Sequence, residues 1–180
     1  VLTISQLAFN DSPGQLGQLY FVEKILTYDT NTYYIGVNKY DVWLNEMVSG
    51  LSYELAGGTL NLSISYNYTY TLPGGSEPSA SGVFGGARNA GTYEITATIL
   101  EDSVYGNYEG WTSTKSLTIE QASFGTGSLQ SLYFNGKTVK YDMLAHPVYA
   151  SNNDSYSAVE LTSINLLGSD GTANIKYYYN

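Results

Sequence analysis

His146 is the single histidine of the chain, and a nucleophilic Ser/His/Asp arrangement would have to use it. No GxSxG elbow accompanies it. Tyr33, 113 residues earlier, stands at the matching place of an internal repeat, so the imidazole is not retained between copies. Paired carboxylates can hydrolyse glycosidic bonds. The candidates are Asp41, Glu46, Glu54, Glu101 and Asp102, which fall in turns or at strand ends. Glu101-Asp102, Asn152 to Asp154 and Ser169 to Gly171 offer oxygens suited to Ca²⁺, yet none has the spacing of a calcium loop. The chain has no cysteine, which excludes disulfides and thiolate metal sites. The reading expects no enzyme, no catalytic residue, no metal and no cofactor, with Ca²⁺ as the one ion worth testing.

Other side chains could carry binding or modification. Lys24 and Lys137 recur at equivalent positions. A buried Lys beside an Asn and a carboxylate can form an isopeptide bond, whereas a surface Lys lays its stem on the protein and its ammonium in water. Asn10, Asn61, Asn67 and Asn153 stand in N-x-[ST] sequons and are candidate glycosylation sites. Tyrosine is abundant, with 19 residues. Trp43, Trp111 and the Tyr177-Tyr178-Tyr179 run could stack on sugars, or the tyrosines could pair across strands and stabilise a sheet.

Composition narrows the class of protein. Charged residues make up 13% of the chain, below the usual quarter. Solubility must come from Asn, Ser, Thr and Gly. The formal charge of −9 argues against nucleic acid and against anionic membrane surfaces. No run of about 18 apolar residues could span a membrane as a helix. Tyr and Thr favour pleated, half-buried surfaces over helix.

The elements that must position these side chains read as strands. Leu60 to Tyr70 alternates for eleven residues, with Leu60, Leu62, Ile64, Tyr66, Tyr68 and Tyr70 on one face. Thr92 to Leu100 alternates too, with Tyr93, Ile95, Ala97 and Ile99 inward. Ser116 to Gln121, Tyr20 to Tyr28 and Thr32 to Val37 are predicted strands. Further along come Lys137 to Tyr141, Val148 to Ala150, Val159 to Leu167 and Asn174 to Tyr179. Leu72 to Gly91 reads as a long polar loop, and Tyr40 to Leu55 as room for a helical turn or two with Trp43, Leu44 and Met47 inward. Many short strands separated by turn residues predict a β-sandwich.

The chain repeats itself. Leu19, Tyr20, Phe21, Lys24, Tyr28 and Asp29 recur 113 residues later as Leu132, Tyr133, Phe134, Lys137, Tyr141 and Asp142. Leu2, Thr3, Ile4, Gln6 and Phe9 recur as Leu117, Thr118, Ile119, Gln121 and Phe124. A period of this length is one small β domain. The expected fold is therefore all-β, a tandem array of immunoglobulin-like sandwiches with an incomplete second copy. Residues 1–6 are expected to be the closing strand of a preceding repeat, 7–122 a complete repeat, and 123–180 the opening half of a second. Beginning at Val1 rather than Met, the chain is expected to be a trimmed or excerpted piece.

The ordered motifs resemble the MBG-type repeats of bacterial surface proteins. That family opens on a TVTYDGxxH stretch, carries an AGTY strand late and closes on an LTI-KA strand. Here Lys137 to His146 reads KTVKYDMLAH, with Met143 where the family has Gly, and Leu26 to Asp29 reads LTYD, with Thr30 at that Gly position. Asn89 to Ile99 reads NAGTYEITATI, and Ser116 to Ala122 reads SLTIEQA. The resemblance implies immunoglobulin-like sandwiches, an extracellular location at a bacterial cell surface and no catalytic residues. Independently of it, Gly91-Thr92-Tyr93 before an alternating strand makes Tyr93 a candidate tyrosine corner, whose hydroxyl ties back to upstream backbone.

The function expected is a structural stalk or fibre module whose partners are neighbouring repeats or identical subunits. An alternative is a filament subunit in which Val1, Leu2, Thr3 and Ile4 form an assembly strand that completes the next subunit by β-strand addition. Another is an adhesin module binding host or environmental glycans.

Overall fold

The computed structural model describes residues 6–9, 16–102, 105, 107–124, 131–166 and 170–178. The protein is all-β, with no helix among these residues. Nine strands are described: β1 (Lys24–Thr27), β2 (Gly50–Leu55), β3 (Gly58–Ser63), β4 (Ser65–Thr71), β5 (Ala80–Val83), β6 (Gly91–Ile99), β7 (Trp111–Glu120), β8 (Ser163–Asn165) and β9 (Thr172–Asn174). The chain divides into two compact units, Val1–Leu26 with Asn31–Glu120, and Thr27–Thr30 with Gln121–Asn180.

In the first unit a five-stranded sheet runs in the order β1-β7-β6-β4-β5. Its spine is β6, which pairs antiparallel with β4 on one side and β7 on the other. The alternation predicted for β6 holds: Tyr93, Ile95, Ala97 and Ile99 are buried, and Leu117 and Ile119 of β7 join them. On the opposite face Thr96 and Thr114 hydroxyls lie 2.8 Å apart across the strands, and those of Thr92 and Thr118 3.4 Å. Such cross-strand pairs add up to about 1 kcal/mol each. Facing the sheet's inner side is a second layer built from Leu19, Phe21, Ile35, Val37 and the β2–β3 hairpin, with Leu62 buried. Phe21 meets Tyr66 of β4 at a ring-centroid distance of 6.2 Å.

Several predicted elements are corrected. Leu60 to Tyr70 is not one strand. Its apolar stripe is continuous, with Leu62, Ile64 and Tyr66 all buried, but the chain changes sheets at Ile64. The Ile64 amide still bonds to Ser49 O at 2.9 Å, and Ser65 then pairs with Thr98. One stripe thus serves both layers, as at the corner of a sandwich. The Leu72 to Gly91 loop contains β5, an edge strand paired with β4. Tyr40 to Leu55 forms no helical turn; it bends and enters β2, although Trp43, Leu44 and Met47 are half-buried.

Thr32 to Val37 is extended without forming a strand because side chains take up its backbone groups. Asn45 Oδ1 accepts from the Tyr34 amide at 2.9 Å, and Trp43 Nε1 donates to the Tyr34 carbonyl at 3.0 Å. The Tyr66 hydroxyl accepts from the Val37 amide at 3.1 Å. Only Tyr33, against Ala87, and Asn38, against Tyr20, make strand-like bridges. Buried amides need partners, and here they find them without a ladder.

The second unit has a short β8–β9 hairpin and the bridges Tyr133↔Ser151 and Tyr149↔Ser157. Lys137 to Tyr141, predicted as a strand, is exposed irregular chain. Of Val159 to Leu167 the strand covers Ser163–Asn165, and the returning strand Thr172–Asn174 lies earlier than predicted. Ala150 and Ile164 are its buried hydrophobic residues among those described. Among the described residues no helix is long and apolar enough to cross a membrane.

Candidate functional site

The side chains proposed for chemistry do not converge. Asp41, Glu46, Glu54 and Glu101 are exposed, and Asp102 is half-buried. Glu54 accepts from the Thr59 hydroxyl across the β2–β3 turn at 3.0 Å. Asp102 accepts from the amides of Tyr105 and Asn107, each at 3.2 Å, and so shapes its own loop. No three His, Asp or Glu groups gather as a metal cluster among the described residues. His146 Nε2 lies 2.9 Å from Asp142 Oδ1, and that carboxylate also accepts from the Leu144 amide at 2.9 Å. The His146 bond, followed by the Leu144 amide, holds the Asp142 carboxyl below its ordinary range.

Tyr93 places its hydroxyl 3.2 Å from both Asn89 N and Asn89 O, reaching backbone four residues upstream. Burial pushes its phenol pKa up. Around it Tyr70 stacks at 4.6 Å, with Tyr68 at 6.0 Å and Phe84 at 6.5 Å. Of the sequon residues, Asn61, Asn67 and Asn153 are exposed. Asn61 Oδ1 accepts from the Ser52 hydroxyl at 2.7 Å. Asn10 and the assembly strand Val1, Leu2, Thr3 and Ile4 lie outside the described residues, as does Tyr179.

What does converge is a set of contacts found twice. The Lys24 ammonium sits 4.8 Å from the centre of the Trp43 ring, and the Lys137 ammonium 4.9 Å from the centre of the Tyr156 ring. Both members of the second pair lie 113 residues after those of the first. Each aromatic also donates to a carbonyl: Trp43 Nε1 to Tyr34 O at 3.0 Å, the Tyr156 hydroxyl to Pro147 O at 2.8 Å. Again the offset is 113. The lysines earlier considered for an isopeptide bond therefore make cation–π contacts, worth about 0.5–1 kcal/mol at exposed sites.

The same offset relates backbone geometry. Tyr20↔Asn38 corresponds to Tyr133↔Ser151, each closed by two amide–carbonyl bonds of 2.8–2.9 Å. Asn38 and Ser151 are buried polar residues, and each holds the turn that follows: Asn38 through Val42 O and the Tyr40 amide, Ser151 through Asn153 O and Ser155 O. Among the described residues the non-glycine residues with positive φ are Thr30 at 73° and Met143 at 65°, also 113 apart. These are the two positions where the MBG-type motif carries Gly, and only Gly adopts this conformation without steric cost.

Beyond the hairpin turn the offset becomes 111. Gly50↔Ser63, Leu51↔Leu62 and Ser52↔Asn61 correspond to Ser163↔Asn174, Ile164↔Ala173 and Asn165↔Thr172. The Ile64 amide on Ser49 O matches the Ile175 amide on Thr162 O, both at 2.9 Å. The Val37 amide on the Tyr66 hydroxyl, 3.1 Å, matches the Ala150 amide on the Tyr177 hydroxyl, 3.2 Å. A two-residue shortening of the turn accounts for the change. The correspondence of Trp43 with Tyr156 was hidden in the sequence because the residue types differ, and that of Tyr66 with Tyr177 because the offset shifts. Aligning the two stretches with one gap at the hairpin would have paired them.

Among the open clefts of the described residues, two are the larger. One of about 510 Å³ in the second unit is lined by Tyr149, Glu160, Lys176, Tyr177 and Tyr178. Tyr149 packs edge-on against Tyr177 at 5.3 Å. Its counterpart, Gly36, sits so close to the backbone of Glu46 that a Cβ there would run into the carbonyl. The other cleft, of about 490 Å³ in the first unit, lies between Gln18–Val22 and Trp111–Lys115. No family model matches the chain, and neither a curated protein nor a solved structure matches it.

Proposed function

We propose that this chain is a structural module of a bacterial extracellular surface protein, made of tandem immunoglobulin-like repeats and serving as a stalk or fibre element. The observation that supports this most is the duplicated contact set: lysine on aromatic ring, hydroxyl on buried amide, one hairpin register and one left-handed turn, at an offset of 113 residues before the hairpin turn and 111 after it. Two stretches that keep such geometry while their surface residues differ are conserved for packing rather than for a reacting group. The partners of such a module are neighbouring repeats or identical subunits. The extracellular, bacterial setting rests on the MBG-type resemblance and on a cysteine-free, Asn/Ser/Thr-rich composition. No catalytic role and no cofactor is proposed. Glycan arrays with the full chain test the reading: a shaft retains no carbohydrate, and specific retention overturns it.

A second reading, a glycan-binding adhesin module, is favoured by one observation. Tyr178 is 83% exposed at the rim of the cleft that holds Tyr149, Tyr177 and Glu160. Exposed aromatic rings beside a carboxylate suit sugar faces and hydroxyls. Alanine at Tyr178 would abolish any carbohydrate binding located there.

A further inference from the structure

The second unit reproduces the opening frame of the first, but the surfaces that the first unit buries stay open. Phe21 is 5% exposed and packs against Tyr66; its counterpart Phe134 is 66% exposed. Ile35 and Tyr66 are buried, whereas their counterparts Val148 and Tyr177 are half-buried. The edge differs as well. Lys24–Thr27 is a strand because β7 pairs with it. Lys137 to Lys140 occupies the equivalent positions, is exposed and forms no strand. Face and edge are thus open together, the edge at the place that β7 closes in the first unit.

We infer that this open side of the second unit is a docking surface for β-strands of the Tyr70–Glu120 kind, with inward Tyr, Ile, Ala and Leu alternating with outward Thr and Ser. The inference rests on the repeat reading above. The first unit supplies the template for the occupant. Its β6 buries Tyr93, Ile95 and Ala97 on one face, and its β7 closes the β1 edge. Strands of this kind would bury Phe134 and pair with Lys137 to Lys140, combining an apolar face with a backbone ladder. The formal charge of −9 disfavours nucleic acid as the occupant.

The test compares the full chain with the same chain extended after Asn180 by a second Tyr70–Glu120 sequence, using hydrogen exchange read by mass spectrometry. Asn180 falls at the Thr69 position under the 111-residue offset, so the extension continues in register. Amides of residues 137–140 are expected to slow by about a hundredfold in the extended chain. They should stay fast when the appended copy carries Ile95→Asp and Leu117→Asp. Fast exchange at 137–140 in the extended chain, with slow exchange at 24–27 showing the first unit intact, would overturn the inference. Protection of 137–140 in the unextended chain that rises with concentration would also overturn it, since a second copy would then cover the face. Retention of carbohydrate would defeat the shaft reading without altering this result.

Discussion

The Val37 amide donates to the Tyr66 hydroxyl at 3.1 Å, and both residues are buried, at 1% and 4% exposure. The bond ties the second layer of the first unit to its five-stranded sheet. Tyr66→Phe keeps the ring against Phe21 but leaves a buried amide unpaired. That costs about 1–3 kcal/mol. Urea unfolding should show the loss as a lower midpoint with an unchanged slope.

The pH dependence should be steepest on the alkaline side. Burial pushes the phenols of Tyr66, Tyr93, Tyr53 and Tyr70 above their ordinary value of 10.0. A raised folded pKa means that the folded state favours the neutral phenol. The unfolded chain ionises first, so this stability is complete below 10.0 and is lost as pH rises through the folded values. Asp142 has the opposite sign. Its lowered pKa makes the His146 and Leu144 contacts fully effective above 3.8 and loses them as pH falls further. Circular dichroism melts across pH should show cooperative loss above about 10, where the phenols ionise. The protection of the Leu144 amide, its exchange rate relative to an unstructured chain at the same pH, should fall only in acid.

Thr30 and Met143 hold φ values of 73° and 65°. A side chain there costs about 1–2 kcal/mol, partly offset by the freedom that glycine brings to the unfolded chain. Thr30→Gly and Met143→Gly should therefore each stabilise by about 0.5–1 kcal/mol. Slower hydrogen exchange around each turn would register the gain, and a loss of stability would show that the side chains make contacts of greater value.

Gly91 opens β6 with a φ of 142°, and a Cβ there would lie 2.5 Å from both Thr71 O and the Tyr70 ring. Gly91→Ala should cost about 2 kcal/mol or more through strain and displacement of Tyr70 from Ala90 O, its hydrogen-bond partner at 2.6 Å. Gly57→Ala, where nothing lies within 4 Å, is the matched control and should be near neutral. Thermal unfolding of the two variants makes the comparison.

Period-two patterning made the β6 core legible in sequence, because Tyr93, Ile95, Ala97 and Ile99 alternate without interruption. It could not reveal the sheet change at Ile64, since the same apolar stripe continues through the corner. Edge strand β5 was hidden because all four of its residues are exposed, so no burial period marks it. Lys137 to Tyr141 has the composition of a strand, but a strand also needs a partner edge, and that is a property of other segments. The recurrence of Lys24 as Lys137 was visible; the rings they meet were not, because Trp43 is replaced by Tyr156 and only the cation–π geometry is kept. Thr30 and Met143 share neither size nor chemistry, and their common feature is a backbone angle.

The central claim is that the two stretches are one plan used twice, and the lysine–aromatic pairs test it most directly. Nuclear magnetic resonance of the full chain should place the ε-methylene protons of both Lys24 and Lys137 upfield, shifted by the rings 4.8 Å and 4.9 Å from their ammonium groups. Trp43→Leu should remove the Lys24 shift alone, and Tyr156→Leu the Lys137 shift alone. Upfield shifts at one lysine and not the other, in the unmodified chain, would contradict the account.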